Sequence, residues 1–262
     1  MPPVSIITLL PLIFGLILGS FLNVCIHRIP LMESIVFPPS KCPHCGTKIR
    51  FYDNIPMISY ILLSGRCRSC REPISIRYPL VEVITGLLSM ALFIRYGLGL
   101  KYLLLLAYSA SLVIISFIDL RHQIIPDIIS LPGILLGLIV VSIFHLNNLT
   151  WLDSLTGILA GGGSLFLVGF IFKSIRGKEG MGMGDVKLLA MIGAWMGWRS
   201  LPYVILISSL AGTLIGGSAL LFAGRKFSEK IPFGPFLVLG SLSYLFFKTE
   251  LQSLWYYYLA LR

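Results

Sequence analysis

KSIRGKEGMGMGDVKLLAMIGA, residues 173–194, carries one aspartate, Asp185, between a glycine-rich stretch and an apolar run. A carboxylate at the threshold of an apolar helix is costly to desolvate, so its presence there suggests chemistry. A second, Asp119, ends another apolar run in SLVIISFIDLRHQIIPD, residues 111–127. Brought together, two such carboxylates can share one proton and activate a water.

Working outward, the 262 residues are 56% hydrophobic and 12% charged, with a mean hydropathy of +0.89. That balance excludes a soluble globular domain and predicts a polytopic membrane protein. Apolar segments lie at 4–26, 80–94, 102–118, 128–144, 155–172, 186–198, 201–223 and 233–247. They predict an all-α membrane protein of about eight transmembrane helices, the second, fourth and sixth of them short. A small tetra-cysteine module is expected between helices 1 and 2. The domain reading is therefore a first transmembrane helix over 1–26, a zinc-binding module over 27–79 and a transmembrane core over 80–262. The first segment has no basic residue before it and no small-x-small cleavage site, so it reads as a retained helix rather than a cleaved signal.

Orientation follows from lysine and arginine. With an external N-terminus, sixteen of the 21 basic residues fall on one side: Arg28 through Arg77, Arg121, Lys173 through Lys187, and Arg225 through Lys230. The positive-inside rule makes that side cytoplasmic, with the cysteine module on it. The net charge of +10 then points to anionic lipid headgroups. No aromatic-interleaved basic motif accompanies it, so nucleic acid is not expected as a partner. Gly161, Gly162 and Gly163, inside the fifth run, read as close helix packing rather than a phosphate loop.

Cys42, Cys45, Cys67 and Cys70 form two C-x2-C pairs separated by 21 residues. Four thiolates so spaced suit a closed, structural zinc site or a similar soft metal. Two disulfides or a redox CxxC are the alternatives, and a reducing compartment disfavours both. His44 reads as a solvent-exposed residue, and Cys25 as a small apolar residue of the first helix.

In the derived topology the third helix ends at Asp119 and the sixth begins after Asp185, so both carboxylates fall at one membrane edge. One can deprotonate a water while the other, protonated, polarises a peptide carbonyl. Alternatively each caps a helix. The glycines beside Asp185 leave room for an extended substrate backbone. Asp127 competes with Asp119 as the partner, or starts the fourth helix. Lys187 either tunes the pair or snorkels to the interface.

These residues resemble the bacterial type IV prepilin peptidases, the G-x-G-D intramembrane aspartic proteases. GSFLNVCIHRIP, residues 19–30, looks like that family's N-terminal signature. NIPMISYILLSGRCRSC and ISIRYPLVEVITG resemble its cytoplasmic module, while FIDLRHQIIPD and GMGMGDVKLLAMIGAW resemble its two catalytic segments. The resemblance implies Asp119 and Asp185 as the catalytic pair and the four cysteines as metal ligands. It also implies an enzyme of the bacterial inner membrane with two reactions. One removes a short basic leader after a glycine from type IV prepilins, or from pilin-like proteins of type II secretion and DNA uptake. The other N-methylates the new N-terminal residue from S-adenosylmethionine. No G-x-G-x-x-G fingerprint marks a methyl-donor site. Glu82, in RYPLVEVITG, is a candidate contact or base there, or a buried partner for Arg77. A peptidase without the second activity, and a zinc-bearing transporter or scaffold, are the competing readings. The latter should show midplane charges and repeat-related broken helices.

Overall fold

The computed structural model describes residues 6–177, 182–223 and 232–260. Lys178, Gly180, Arg225, Lys226, Lys230 and Arg262, which entered the charge and glycine readings, lie outside them. Nine α-helices are formed among the described residues: α1 (Ile6–Arg28), α2 (Ile58–Leu62), α3 (Arg77–Tyr96), α4 (Leu100–His122), α5 (Asp127–Phe144), α6 (Trp151–Arg176), α7 (Met183–Met196), α8 (Leu201–Ala223) and α9 (Gly234–Ala260). Strands are absent from the described residues, which hold two isolated β-bridges. Each of the eight apolar runs is a helix, and α2, five residues long, is the one addition.

Six helical stretches among the described residues are long and apolar enough to cross a membrane. The shortest of the eight long helices, α7, has 14 residues. It rises about 21 Å at 1.5 Å per residue, short of the roughly 30 Å hydrocarbon core. Its second half needs no lipid, because every residue from Leu188 to Met196 is buried. α6 begins on a capping box in which Thr150 and Asp153 exchange side-chain and backbone hydrogen bonds, which starts the helix four residues before the apolar run does. It ends at Gly177, whose φ of +66° is the left-handed conformation that glycine adopts without strain.

The chain divides into two compact units, Met1–Ile114 and Ile115–Arg262. In the first, Gly15 and Gly19 of α1 let that helix pack closely on α3. A β-carbon at Gly15 would stand 2.6 Å from Ser89 Cβ, and one at Gly19 would stand 2.6 Å from Glu82 Cα. Ser89 Oγ donates to the Pro11 carbonyl at 2.6 Å, so the contact is also hydrogen-bonded.

In the second unit α7 is the central element. Its Gly193 meets Gly157 of α6 backbone to backbone, leaving no room for a β-carbon on either. Ser154 Oγ donates to the Ala194 carbonyl at 2.7 Å beside them. Small residues four apart at a helix interface are the usual route to such closeness, since lipid supplies no hydrophobic drive between helices. Gly161 continues the seam, with a β-carbon there 2.6 Å from the Leu189 carbonyl oxygen, whereas Gly162 is in ordinary contact and Gly163 faces open space. Of the triplet, only Gly161 is at a distance that excludes a β-carbon. On the other flank of α7, Trp195 Nε1 donates to the Gly133 carbonyl of α5 at 2.9 Å.

Gly193→Val should push α6 from α7 and destabilise the protein by roughly 1–3 kcal/mol or more. The check is the Tm of the detergent-solubilised protein. Gly163→Ala, placed in open space, should leave it unchanged.

Candidate functional site

Asp119 lies in the last turns of α4 and is 5% exposed. Its Oδ2 accepts the backbone N–H of Gly234 at 3.0 Å. Gly234 opens α9 between Pro232 and Pro235, so the carboxylate sits at a helix N-terminus, where unsatisfied N–H groups favour negative charge. A β-carbon on Gly234 would stand 2.6 Å from that same oxygen. Only glycine permits the approach. This residue was not singled out from the sequence; its signal is a lone glycine between two prolines at the start of the last apolar run, with the partner 115 residues away.

Asp185 occupies the first turn of α7 and is partly exposed. Its backbone N–H bonds to the Gly182 carbonyl at 3.2 Å. The N-cap is Gly182, without a side-chain cap bond, so the Asp185 carboxylate is left for other work. Asp119 and Asp185 belong to the same compact unit. Ile125, in the loop after α4, is the wedge between their surroundings. It lies 2.9 Å from the β-carbon position of Gly184 and 3.4 Å from that of Gly234.

Asp127 takes the first turn of α5 behind Pro126, with no side-chain cap bond. It is ion-paired with Lys187, Nζ to Oδ1 at 2.7 Å and to Oδ2 at 2.8 Å. Half-exposed, the pair ties the start of α5 to the first turns of α7, and Lys187 is engaged there rather than left to snorkel.

The four cysteine sulfurs lie within 4.8 Å of one another, and Cys42 Sγ stands 3.8 Å from Cys70 Sγ. Four sulfurs at about 2.3 Å from a tetrahedral ion are about 3.8 Å apart, so the cluster has the size to hold one. Two matching turns build it. In the first, Cys42 N–H bonds to the Thr47 carbonyl and Gly46 N–H to the Cys42 carbonyl; in the second, Cys67 bonds to Glu72 and Arg71 to Cys67 in the same register. The position after the second cysteine is left-handed in both, Gly46 at φ +69° and Arg71 at φ +62°. The arginine, where glycine would be unstrained, conceals this repeat in the sequence.

Hydrogen bonds from Thr47, side chain before backbone, push the Cys45 thiol down to about 6. Cys70 goes the other way, to about 12: a Glu72 backbone bond favours its thiolate, but desolvation and the three neighbouring cysteines outweigh it. Four thiolates in so small a space need a cation between them. Arg68 reaches Asp53 through a two-pronged ion pair, 2.6 Å at Nη2 and 3.0 Å from Nε to Oδ2. The hydrogen bonds from Arg68 hold the Asp53 carboxyl below its usual range.

Glu82, in α3, is 7% exposed. Its partners are the backbone N–H of Met57, which donates to Oε2 at 2.9 Å, and the Ser20 side chain. Arg77 is not among them.

Fold and site together define a multi-pass helical membrane protein with two carboxylates, Asp119 and Asp185, in one helical unit and a four-cysteine cluster in the segment between α1 and α3. Residues 106–217, which include Asp119 and Asp185, match the type IV leader peptidase family. Residues 13–96, with the cysteines and Glu82, match the bacterial peptidase A24 N-terminal domain. The chain is 41% identical over 265 residues to a prepilin leader peptidase/N-methyltransferase of Pseudomonas putida, covering 92% of this chain and 90% of the relative. Proteins of the same name match from Burkholderia pseudomallei strain 1026b, at 38% over 93% of this chain and 86% of theirs, and from Aeromonas hydrophila, at 40% over 87% and 86%. No solved structure matches. The chain belongs to the type IV leader peptidase family.

Gly234→Ala should lower any activity that depends on Asp119 by about 100-fold, since displacing a reacting group by an ångström costs that order. Asp127→Asn should retain most of it, because an exposed ion pair contributes about 0.2–1 kcal/mol. Initial rates of leader cleavage on a synthetic prepilin, at matched protein levels, separate the two.

Proposed function

We propose that this protein is a prepilin leader peptidase and N-methyltransferase of the bacterial inner membrane, acting on type IV prepilins and pilin-like proteins. It cleaves the leader peptide and then methylates the new N-terminus. The observation that carries this reading is identity near 40% to relatives of that name over most of both chains.

For cleavage, Asp119 and Asp185 form the catalytic pair. One carboxylate takes a proton from a water as its oxygen adds to the scissile carbonyl carbon, while the protonated partner donates a hydrogen bond to the carbonyl oxygen. Collapse breaks the C–N bond, and the leaving amine takes a proton back from the pair. Their shared unit and the exposed, side-chain-free Gly182 three residues before Asp185 support this. A transporter would place its charges at the midplane; here both acidic residues stand at helix ends.

Cys42, Cys45, Cys67 and Cys70 would hold zinc, and a shell of four thiolates would supply folding energy to the loop and leave no position for a water. The loop, residues 27–79, is cytoplasmic, the N-terminus is outside, and residues 80–262 form the peptidase core. The basic residues of the cytoplasmic side face anionic lipid, and nucleic acid has no part. S-adenosylmethionine would supply the methyl group to the new N-terminal amine, which would give up a proton as the donor leaves as the thioether. Glu82 is a contact for the methyl donor.

One set of variants tests the division of labour. Asp119→Asn and Asp185→Asn should each abolish leader cleavage, read by mass spectrometry on a synthetic prepilin, while the protein still inserts at wild-type level. Cys42→Ser with Cys45→Ser should lose bound zinc and heat stability. Full cleavage by either aspartate variant overturns the pair, and a wild-type protein without metal overturns the zinc site.

A further inference from the structure

Between Asp53 and Arg66 the cysteine module carries no charged residue, and the run IPMISYILL, Ile55–Leu63, has the composition of a membrane segment at less than half the length needed to span one. Within it, α2 turns Ser59 inward, where its Oγ donates to the Tyr52 carbonyl at 2.7 Å. Ile58, Ile61 and Leu62 turn outward, 54%, 67% and 78% exposed. A helix with its serine buried and its isoleucines and leucine outside is inverted for water.

The place of the run along the transmembrane helices accounts for the inversion. Met57 N–H donates to Glu82 Oε2 at 2.9 Å, and the Glu82 backbone meets Gly19 of α1. At 1.5 Å per residue, Glu82 lies about 7.5 Å along α3 from Arg77, and Gly19 about 13 Å along α1 from Arg28. Both helices are long and apolar enough to cross a membrane, so the run stands beside them at membrane depth and not above their ends. Ile13, Ile17, Phe21 and Val24 of α1, with Ile55 and Ile58, line a cleft of about 650 Å³ between them. No charged residue lines it, and Ile13, Ile17 and Phe21 are half-exposed.

Membrane depth also requires that backbone polar groups be paired. The N–H groups of Met57, Ile58, Ser59, Ile61 and Leu63 are all bonded, within the run or to Glu82. Met57 takes a φ of +59°, a strained value for a residue with its side chain, and the Glu82 carboxylate holds it there.

We propose that Ile55–Leu63 is sunk into the bilayer beside α1, with Ile61 and Leu62 against lipid and a lipid acyl chain in the cleft. An acyl chain fits because the uncharged lining offers a polar ligand no ionic partner, and because the walls on α1 belong to a membrane span. Arg50 and Arg66, exposed on either side of the run, take the headgroup level. The proposal divides the loop read above as cytoplasmic: the cysteine turns stay in water and this run does not.

Benzoylphenylalanine placed singly at Ile58, Ile61 or Leu62 tests it, in the full chain reconstituted in phosphatidylcholine–phosphatidylglycerol vesicles. Ile58 reports on the cleft and the other two on the outward face. After irradiation, mass spectrometry should find a phospholipid joined through its acyl chain at all three positions. Leu159, on the exposed face of α6, should give the same adduct, and Lys48, beside the cysteines, should give none. Leader cleavage by each variant reports that it is folded. Adducts at Ile61 and Leu62 that are absent or confined to the headgroup overturn the proposal, as does an adduct at Ile58 to another polypeptide. Ile61→Asp gives a second reading that needs no label. It should lower the Tm in lipid nanodiscs by about 4 °C or more, because a carboxylate at membrane depth is costly whereas the same change on a surface in water is close to neutral. An unchanged Tm overturns the proposal.

Discussion

A carboxylate buried in an apolar helical bundle has to find a donor, and much of the second unit is arranged around the one Asp119 finds. The Gly234 N–H at 3.0 Å comes from the first turn of α9, where backbone donors have no helical partner. The bond works only if α9 begins there and with no side chain in the way. Pro232 and Pro235 fix the first condition and the glycine meets the second. Ile125, packed against the Gly184 and Gly234 positions, relates this junction to the turn that carries Asp185.

Close approach is the second constraint. α7, too short to span the bilayer, is enclosed by protein along Leu188–Met196. It is held by the glycine seam with α6, by Trp195 on α5 and by the Lys187–Asp127 pair at its start. Enclosure keeps Asp185 at a set height near the helix end. The same device, glycines of α1 against α3, sets Gly19 against the Glu82 backbone in the first unit.

What the sequence made legible was what a bilayer enforces. Apolar runs must become helices, because unsatisfied backbone groups cannot face lipid, and all eight did. The cysteine spacing and the aspartates at run ends were equally visible, since both are local patterns. Contacts across long sequence separations were not visible: Gly234 with Asp119, Met57 with Glu82, Asp127 with Lys187. Periodicity carries no information about such pairs. Arg71 hid the second cysteine turn by standing in a left-handed position where its counterpart is Gly46. All three glycines of 161–163 read as packing residues, although only Gly161 stands so close to a neighbouring backbone that a β-carbon would not fit.

The shared-proton pair is the central claim, and the pH dependence of kcat for leader cleavage tests it most directly. A pair that works with one carboxylate charged and the other protonated loses activity when both are protonated and again when both are ionised. The profile of the wild-type enzyme on a synthetic prepilin should therefore be bell-shaped, with the ends set by the pair and not by protein stability. A rate that rises with pH and then holds level across the alkaline limb would contradict the account.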